Sequence, residues 1–220
     1  AQALKVAAGD LVVVEKIYLY DDNGGEYLSS TGTDLTITSG NDIILAVGAA
    51  GSVHSGGVGG TSNTVLGVDA GIGLEAGSNY NVLIGDLVGD ASMNDAIQNV
   101  GVGYQALSAL TSGNNNIGIG KDSLLLMTTG GQNLAVGSHT LDAITGAEWN
   151  IAIGYEAMSD ASHDSAARNT AIGHFAGDGM AALANLDNIF IGYGAGGGTW
   201  TGTLSSYNVG VGNYVMGAAM

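Results

Sequence analysis

Residues 150–158 read NIAIGYEAM, and the first five letters recur along most of the chain. The phrase is Asn, two residues, an aliphatic residue, then Gly. Its copies are NTVLG at Asn63, NVLIG at Asn81, NVGVG at Asn99, NIGIG at Asn116, NLAVG at Asn133, NIAIG at Asn150, NTAIG at Asn169, NIFIG at Asn188 and NVGVG at Asn208. Successive Asn residues are 18, 18, 17, 17, 17, 19, 19 and 20 positions apart. A fixed period near twenty residues marks a repeat array. Short strands within such a period predict an all-β parallel β-solenoid, or β-roll, of nine coils. A stack of near-identical coils is more often a structural or binding surface than a catalyst.

We number each coil from its Asn as position 1. Positions 2 and 4 are Ile, Val or Leu except at Thr64 and Thr170. Period-two alternation puts both on one face of a short strand, and the expectation is that this face is the core. Position 3 then points outward, where a solvated strand would be polar. Here it is Val65, Leu83, Gly101, Gly118, Ala135, Ala152, Ala171, Phe190 and Gly210. A small or apolar outward row predicts packing on another surface, with identical chains the leading candidate. The uniform Gly at position 5 predicts positive φ or a close approach. The segments after it, such as YQALSAL (104–110) and KDSLLLM (121–127), fit one helical turn or a second strand. The expectation is a short helical turn or bend in some coils. Variation in coil length falls in polar loops such as TSGNN (111–115).

The Asn itself has two readings. Equivalent amides one rung apart, about 4.8 Å, can hydrogen-bond along the stack, and an Asn can also bond its own turn. Alternatively, it is a repeated glycan- or ion-binding amide. The structural reading leads, because every copy adjoins a turn and a strand start. It assigns a ladder to Asn63, Asn81, Asn99, Asn116, Asn133, Asn150, Asn169, Asn188 and Asn208.

Gly is 39 of 220 residues, while Pro and Cys are absent. The glycines lack a triplet period, and 45 % hydrophobic residues is too many for a disordered chain. Twenty acidic residues against four basic ones give a net charge of −16. That argues against nucleic acid or anionic membrane as a partner, since both need Lys and Arg. No apolar run approaches the roughly 18 residues of a membrane span, so membrane insertion is not expected. Residues 1–50 lie outside the repeat and read as an N-terminal β-hairpin-rich region, with LVVVEKIYLY (11–20) its clearest strand and DDNGG (21–25) a turn. Residues 51–62 form a Gly/Ser-rich hinge, and residues 63–220 the nine-coil solenoid.

The phrases NVGVGYQAL (99–107), NIAIGYEAM (150–158) and NTAIGHFAG (169–177) resemble repeats of bacteriophage tail-fibre and tailspike shafts. They also resemble the repeats in heads of trimeric autotransporter adhesins, whose period is shorter. The segment KIYLYDDNGGEYLSSTGTDLTITSGNDIIL (16–45) is similar to phrases of phage fibre proteins and favours that family. The resemblance implies a left-handed roll and a homotrimer. It implies an extracellular virion tail fibre that contacts a host cell-surface glycan or protein and joins other virion tail proteins. A bacterial trimeric surface adhesin is the alternative, and a polysaccharide-degrading tailspike the second. No charged residue follows Asp187. A solenoid end normally carries a polar cap, so the expectation is that the trimer seals its tip, another protein caps it, or a C-terminal chaperone domain has been cleaved.

Catalytic signals are weak. Asp160, His163 and Asp164 could hold a metal, but they read better as a solvated loop; His139 with Asp142, and His174, read as exposed coil residues. No GxSxG, HExxH or P-loop pattern is present. The expectation is a non-enzyme with no cofactor and no metal. Candidate receptor-binding residues are Trp149, Tyr193, Trp200, Tyr207 and Tyr214, whose aromatic faces suit sugar stacking. Padding of a trimer interface or of the rod's end is the weightier alternative for them.

Overall fold

A computed structural model describes residue 60 and residues 62–161, 166–180, 185–198 and 206–217. The expected N-terminal β region and most of the hinge lie outside these residues. Each Asn-x-x-aliphatic-Gly phrase forms one three-residue strand: β1 (Thr64–Leu66), β2 (Val82–Ile84), β3 (Val100–Val102), β4 (Ile117–Ile119), β5 (Leu134–Val136), β6 (Ile151–Ile153), β7 (Thr170–Ile172), β8 (Ile189–Ile191) and β9 (Val209–Val211). They pair in sequence order as a nine-stranded parallel sheet. Equivalent positions face each other at every step, as Val82 with Val100 and Ile151 with Thr170. The chain is an all-β parallel solenoid, with no helix among the described residues.

The strand faces run opposite to the sequence expectation. Position 3 is buried in all nine strands, while positions 2 and 4 are half-buried or exposed. The correction has a physical cause in the Asn. Positions 1, 3 and 5 share one face, so turning the Asn amides inward also turns position 3 inward. From this wall the interior takes the Asn amide and one further side chain per turn. Hydropathy favoured the two aliphatic positions for the core; the amide ladder and the narrow interior give that place to position 3.

The opposite wall is built from turns; of the expected helical turn or bend, no helix is present among the described residues. In the Asn99 coil, Ala106 N–H donates to Gly103 C=O and Ser108 N–H to Gln105 C=O, both at 3.4 Å. Gln105 and Leu107, with φ of 55° and 56°, lie in the left-handed region that type II turns require at their third residue. The same turns bond along the stack: Gln105 N–H donates to Asp86 C=O, and Leu107 N–H to Ser123 C=O, both at 3.0 Å. Both walls are therefore hydrogen-bonded from coil to coil, which compensates the strained backbone.

Position 5 meets both conditions that call for Gly. Its φ is 127–137° in all nine copies, beyond the left-handed region open to other residues. A Cβ on Gly103 would lie 2.6 Å from the Gly120 carbonyl oxygen, and one on Gly85 2.7 Å from that of Gly103.

The two walls fill the interior by complementary size. Position 9, on the turn wall, faces position 3 of its own coil. Where position 3 is large (Val65, Leu83, Phe190), position 9 is Gly71, Gly89 or Gly196. Where position 3 is Gly101, Gly118, Ala135, Ala152 or Gly210, position 9 is Leu107, Leu124, Leu141, Met158 or Met216. A Cβ on Gly196 would stand 2.6 Å from the Phe190 ring. In the Asn169 coil both positions are small, Ala171 and Gly177, and Met180 and Met158 reach in beside Gly177. The interior is thus one contiguous apolar core to which the turns contribute in sequence.

Phe190→Ala should cost about 3–5 kcal/mol by opening a cavity. Adding Gly196→Leu should recover much of that loss, because Leu already occupies position 9 at similar φ in other coils. Thermal unfolding of the two single variants and the double variant checks this. Additive losses would show that positions 3 and 9 do not share one space.

Candidate functional site

The Asn side chains enter the coil and are buried, apart from partly buried Asn208. In every one of the eight steps the backbone N–H of one Asn donates to the Oδ1 of the Asn before it, at 2.8–3.1 Å. The Nδ2 group adds a second bond to the same oxygen in most steps, as from Asn81 to Asn63 at 3.2 Å. Its other hydrogen goes to a carbonyl at the end of its own coil, as from Asn133 to Ala147 at 2.8 Å. A mid-stack amide therefore uses both donors and both acceptor sites internally. None of its capacity is left for a ligand, so this row is scaffold.

Three surface rows remain as sites. The first is the strip formed by positions 2 and 4. Sixteen of its eighteen side chains are Ile, Val or Leu, and Leu66, Ile117, Ile119, Ile151, Ile189, Ile191, Val209 and Val211 are exposed in the single chain. Nine rungs make the strip about 40 Å long at about 4.8 Å per rung. A continuous apolar strip of that length reaches the size at which exposed patches mark an interaction surface.

The second row is aromatic and occupies positions 6 and 7, just after the strand. His139, Tyr155, His174, Phe175, Tyr193 and Tyr214 stack along it with successive ring centroids 5.2–6.5 Å apart. Tyr193 and Tyr214 are legible in the sequence as candidates. Tyr155, His174 and Phe175 join them because coils of 17, 19 and 20 residues nonetheless stack in register. Counting each residue from its own Asn would have found them. Beside this row run Asp142, Ser159 and Asp178, all at position 10. Ser159 Oγ donates to Asp178 Oδ1 at 2.6 Å. Burial pushes the Asp178 carboxyl above its ordinary value, and the Ser159 hydrogen bond opposes the shift. A recess of about 230 Å³ opens between Phe175, Asp178, Tyr193 and Tyr214, with Gly194, Gly197 and Gly217 in its lining.

The third row is the residue before each Asn, which has φ of 57–64° in all nine coils. It carries the other two described candidates, Trp149 and Tyr207, both exposed. Between them, Arg168 grips Asp187 of the next coil in a two-point ion pair at 2.7 and 3.0 Å. That contact holds the Asp187 carboxyl below its usual range. Trp149 and Tyr207 therefore do not join Tyr193 and Tyr214 in one site. Trp200, His163 and Asp164 lie outside the described residues.

His139 Nδ1 sits 3.6 Å from Asp122 Oδ2 and 3.5 Å from Asp142 Oδ2, with Lys121 Nζ 3.1 Å from the same Asp122 oxygen. Burial raises the Asp142 carboxyl, opposed by His139. The lysine neutralises this cluster from one side. Among the described residues no group of three or more His, Asp or Glu is placed to hold a metal ion.

Asn133→Ala should remove about 3 kcal/mol or more, since it strands several buried donors and acceptors at about 1–3 kcal/mol each. Chemical denaturation checks this; a loss under about 1 kcal/mol would mean that water replaces the amide. Asp178 gives a pH test. Its folded carboxyl holds the proton more tightly than the unfolded one, so its contribution to stability is lost as pH rises upward from 3.8. Asp178→Asn should therefore be the more stable protein at pH 7, with the gap closing on acidification. Melting curves from pH 4 to 7 read this. No protein-family model, curated protein or solved structure matches this chain.

Proposed function

We propose that this chain is a structural and host-attaching part of a viral tail fibre, not an enzyme, and that its rods associate side by side as a homotrimer. The single observation that carries the reading is the aliphatic strip. A chain with a net charge of −16 has enough acidic residues to cover a solvent-facing sheet, yet this face has none. Sixteen aliphatic side chains on one flat face, in register over nine rungs, fit another sheet of the same spacing, and a second copy of the chain has that spacing by construction. The remaining rows stay outward in such a bundle and are free to meet a host surface glycan or protein. The similarity of the repeat phrases to phage fibre shafts supports the number three and the place in the virion, beside other tail proteins.

Sedimentation analysis of the intact chain should give a mass near three times the 21.8 kDa monomer. Ile151→Glu combined with Ile153→Glu should yield a folded monomer with unchanged far-UV circular dichroism. Ala152→Glu, which sequence reasoning alone would place at the interface, should instead unfold the coil, because Ala152 is fully buried inside it. A wild-type protein that sediments as a monomer rejects the proposal.

A further inference from the structure

We propose that the aromatic row at positions 6 and 7 is a binding track for a neutral, extended polysaccharide; this rests on the attachment role proposed above and names its ligand class. The row is not required by the fold. The same two positions hold Val68 and Asp69, Asp86 and Leu87, and Lys121 and Asp122 in earlier coils, and those coils stack in the same register. The Asn99 coil carries Tyr104 at position 6, and every coil from Asn133 onward carries at least one ring at these positions. Tyr155, Tyr193 and Tyr214 are 41 %, 43 % and 67 % exposed, so core packing does not account for them, and their ring contacts along the stack leave a face of each open to solvent.

Their chemistry selects a class of ligand. Exposed rings with a polar edge favour ligands that offer both C–H faces and hydroxyls. The adjoining row supplies acceptors for hydroxyl donors: the Asp142 and Asp178 carboxylates and the Ser159 hydroxyl. Where Phe175, Tyr193 and Tyr214 flank the recess, glycine lines it at Gly194, Gly197 and Gly217, so a bulky ring can approach the backbone. Charge then narrows the class. Glu156, Asp160 and Asp178 border the row, and its own basic groups are His139 and His174. Anionic sugars would meet repulsion along the coils from Asn133 to Asn169, where Asp142, Glu156, Asp160 and Asp178 lie. Each coil from Asn133 onward supplies at least one ring, and successive coils are about 4.8 Å apart along the axis. An extended β-linked hexose chain advances by a similar step per sugar, so successive rings can meet successive sugars. The row is open along its length and suits the interior of a polymer. Three such rows on one trimer would raise a weak single-track affinity through avidity.

The test is calorimetric titration of the intact chain with neutral hexasaccharides, namely β-1,4-linked glucose and mannose and α-1,4-linked glucose, and with an acidic hexamer of galacturonate. Saturable binding of a β-linked neutral hexamer is expected. Tyr193→Ala and Tyr155→Ala should each weaken it about tenfold, or roughly 1.4 kcal/mol, and Trp149→Ala, in a different row, should leave it unchanged. Sedimentation of the same samples separates the two proposals: a trimer that binds no neutral hexamer rejects the track alone, and a monomer rejects the fibre reading. Preference for the acidic hexamer overturns the track. So does binding that both Tyr variants leave intact. Attachment to host cells that survives periodate oxidation of their surface glycans assigns a protein receptor and also overturns it.

Discussion

Equivalent atoms of neighbouring coils must sit one hydrogen-bond rung apart, and most choices in this sequence follow from that spacing. The buried Asn row imposes it from within. Each amide is satisfied only when its counterparts in the coils on either side stand at the same height and in the same rotation. A slip by one residue would turn the amides outward and leave their backbone partners stranded inside, at about 1–3 kcal/mol each. The glycines at position 5 impose it from the corner, where one backbone lies so close beneath the next that a Cβ has no room. Loops of different length absorb the change from 17 to 20 residues, and the register does not drift.

The same spacing explains how the fold tolerates so much left-handed backbone. Every coil places the residue before Asn and positions 5, 7 and 9 at positive φ, and many of these residues are Leu, Gln, Asp, Tyr or Trp. Each such residue costs on the order of 1 kcal/mol. In an isolated coil nothing would offset that cost. In the stack, the N–H groups around these turns find carbonyls in the coils on either side. Stability is thus a property of neighbours, as in other linear repeat arrays.

The solenoid was legible in the repeat, and the glycine constraint was legible in its uniformity. The direction of the strands was not. Ile151 and Ile153 look more like a core than Ala152 does, and burial of apolar area favours them for the inside. What settles the matter is the parity of Asn150, a polar residue whose burial makes sense only when the whole row is bonded. The reciprocal pattern at positions 3 and 9 was present in the letters: Phe190 with Gly196, Gly101 with Leu107. It becomes visible only once the turn wall is known to face the strand wall. The aromatic row was half legible. Tyr193 and Tyr214 stand out in a late, uncharged stretch, whereas Tyr155 and Phe175 lie far from them in sequence and reach them through the stacking. Trp149 and Tyr207 looked equivalent to these and belong to another corner.

The pairing of a large residue with a glycine inside one coil has a consequence for how such a chain can change. Because the largest size match is made within most turns, the demand each coil places on the coil above or below is confined to a few rung-to-rung contacts, such as Leu83 and Val88 against Gly101 and Phe190 against Gly210. Such a unit could be duplicated, deleted or exchanged between related genes and still present the same amide, glycine and hydrogen-bonding edges to its new neighbours. Rod length and the order of surface side chains along it are then open to recombination one coil at a time, wherever these few rung-to-rung contacts still fit. A molecule built this way could rewrite its exterior quickly while its interior stays solved.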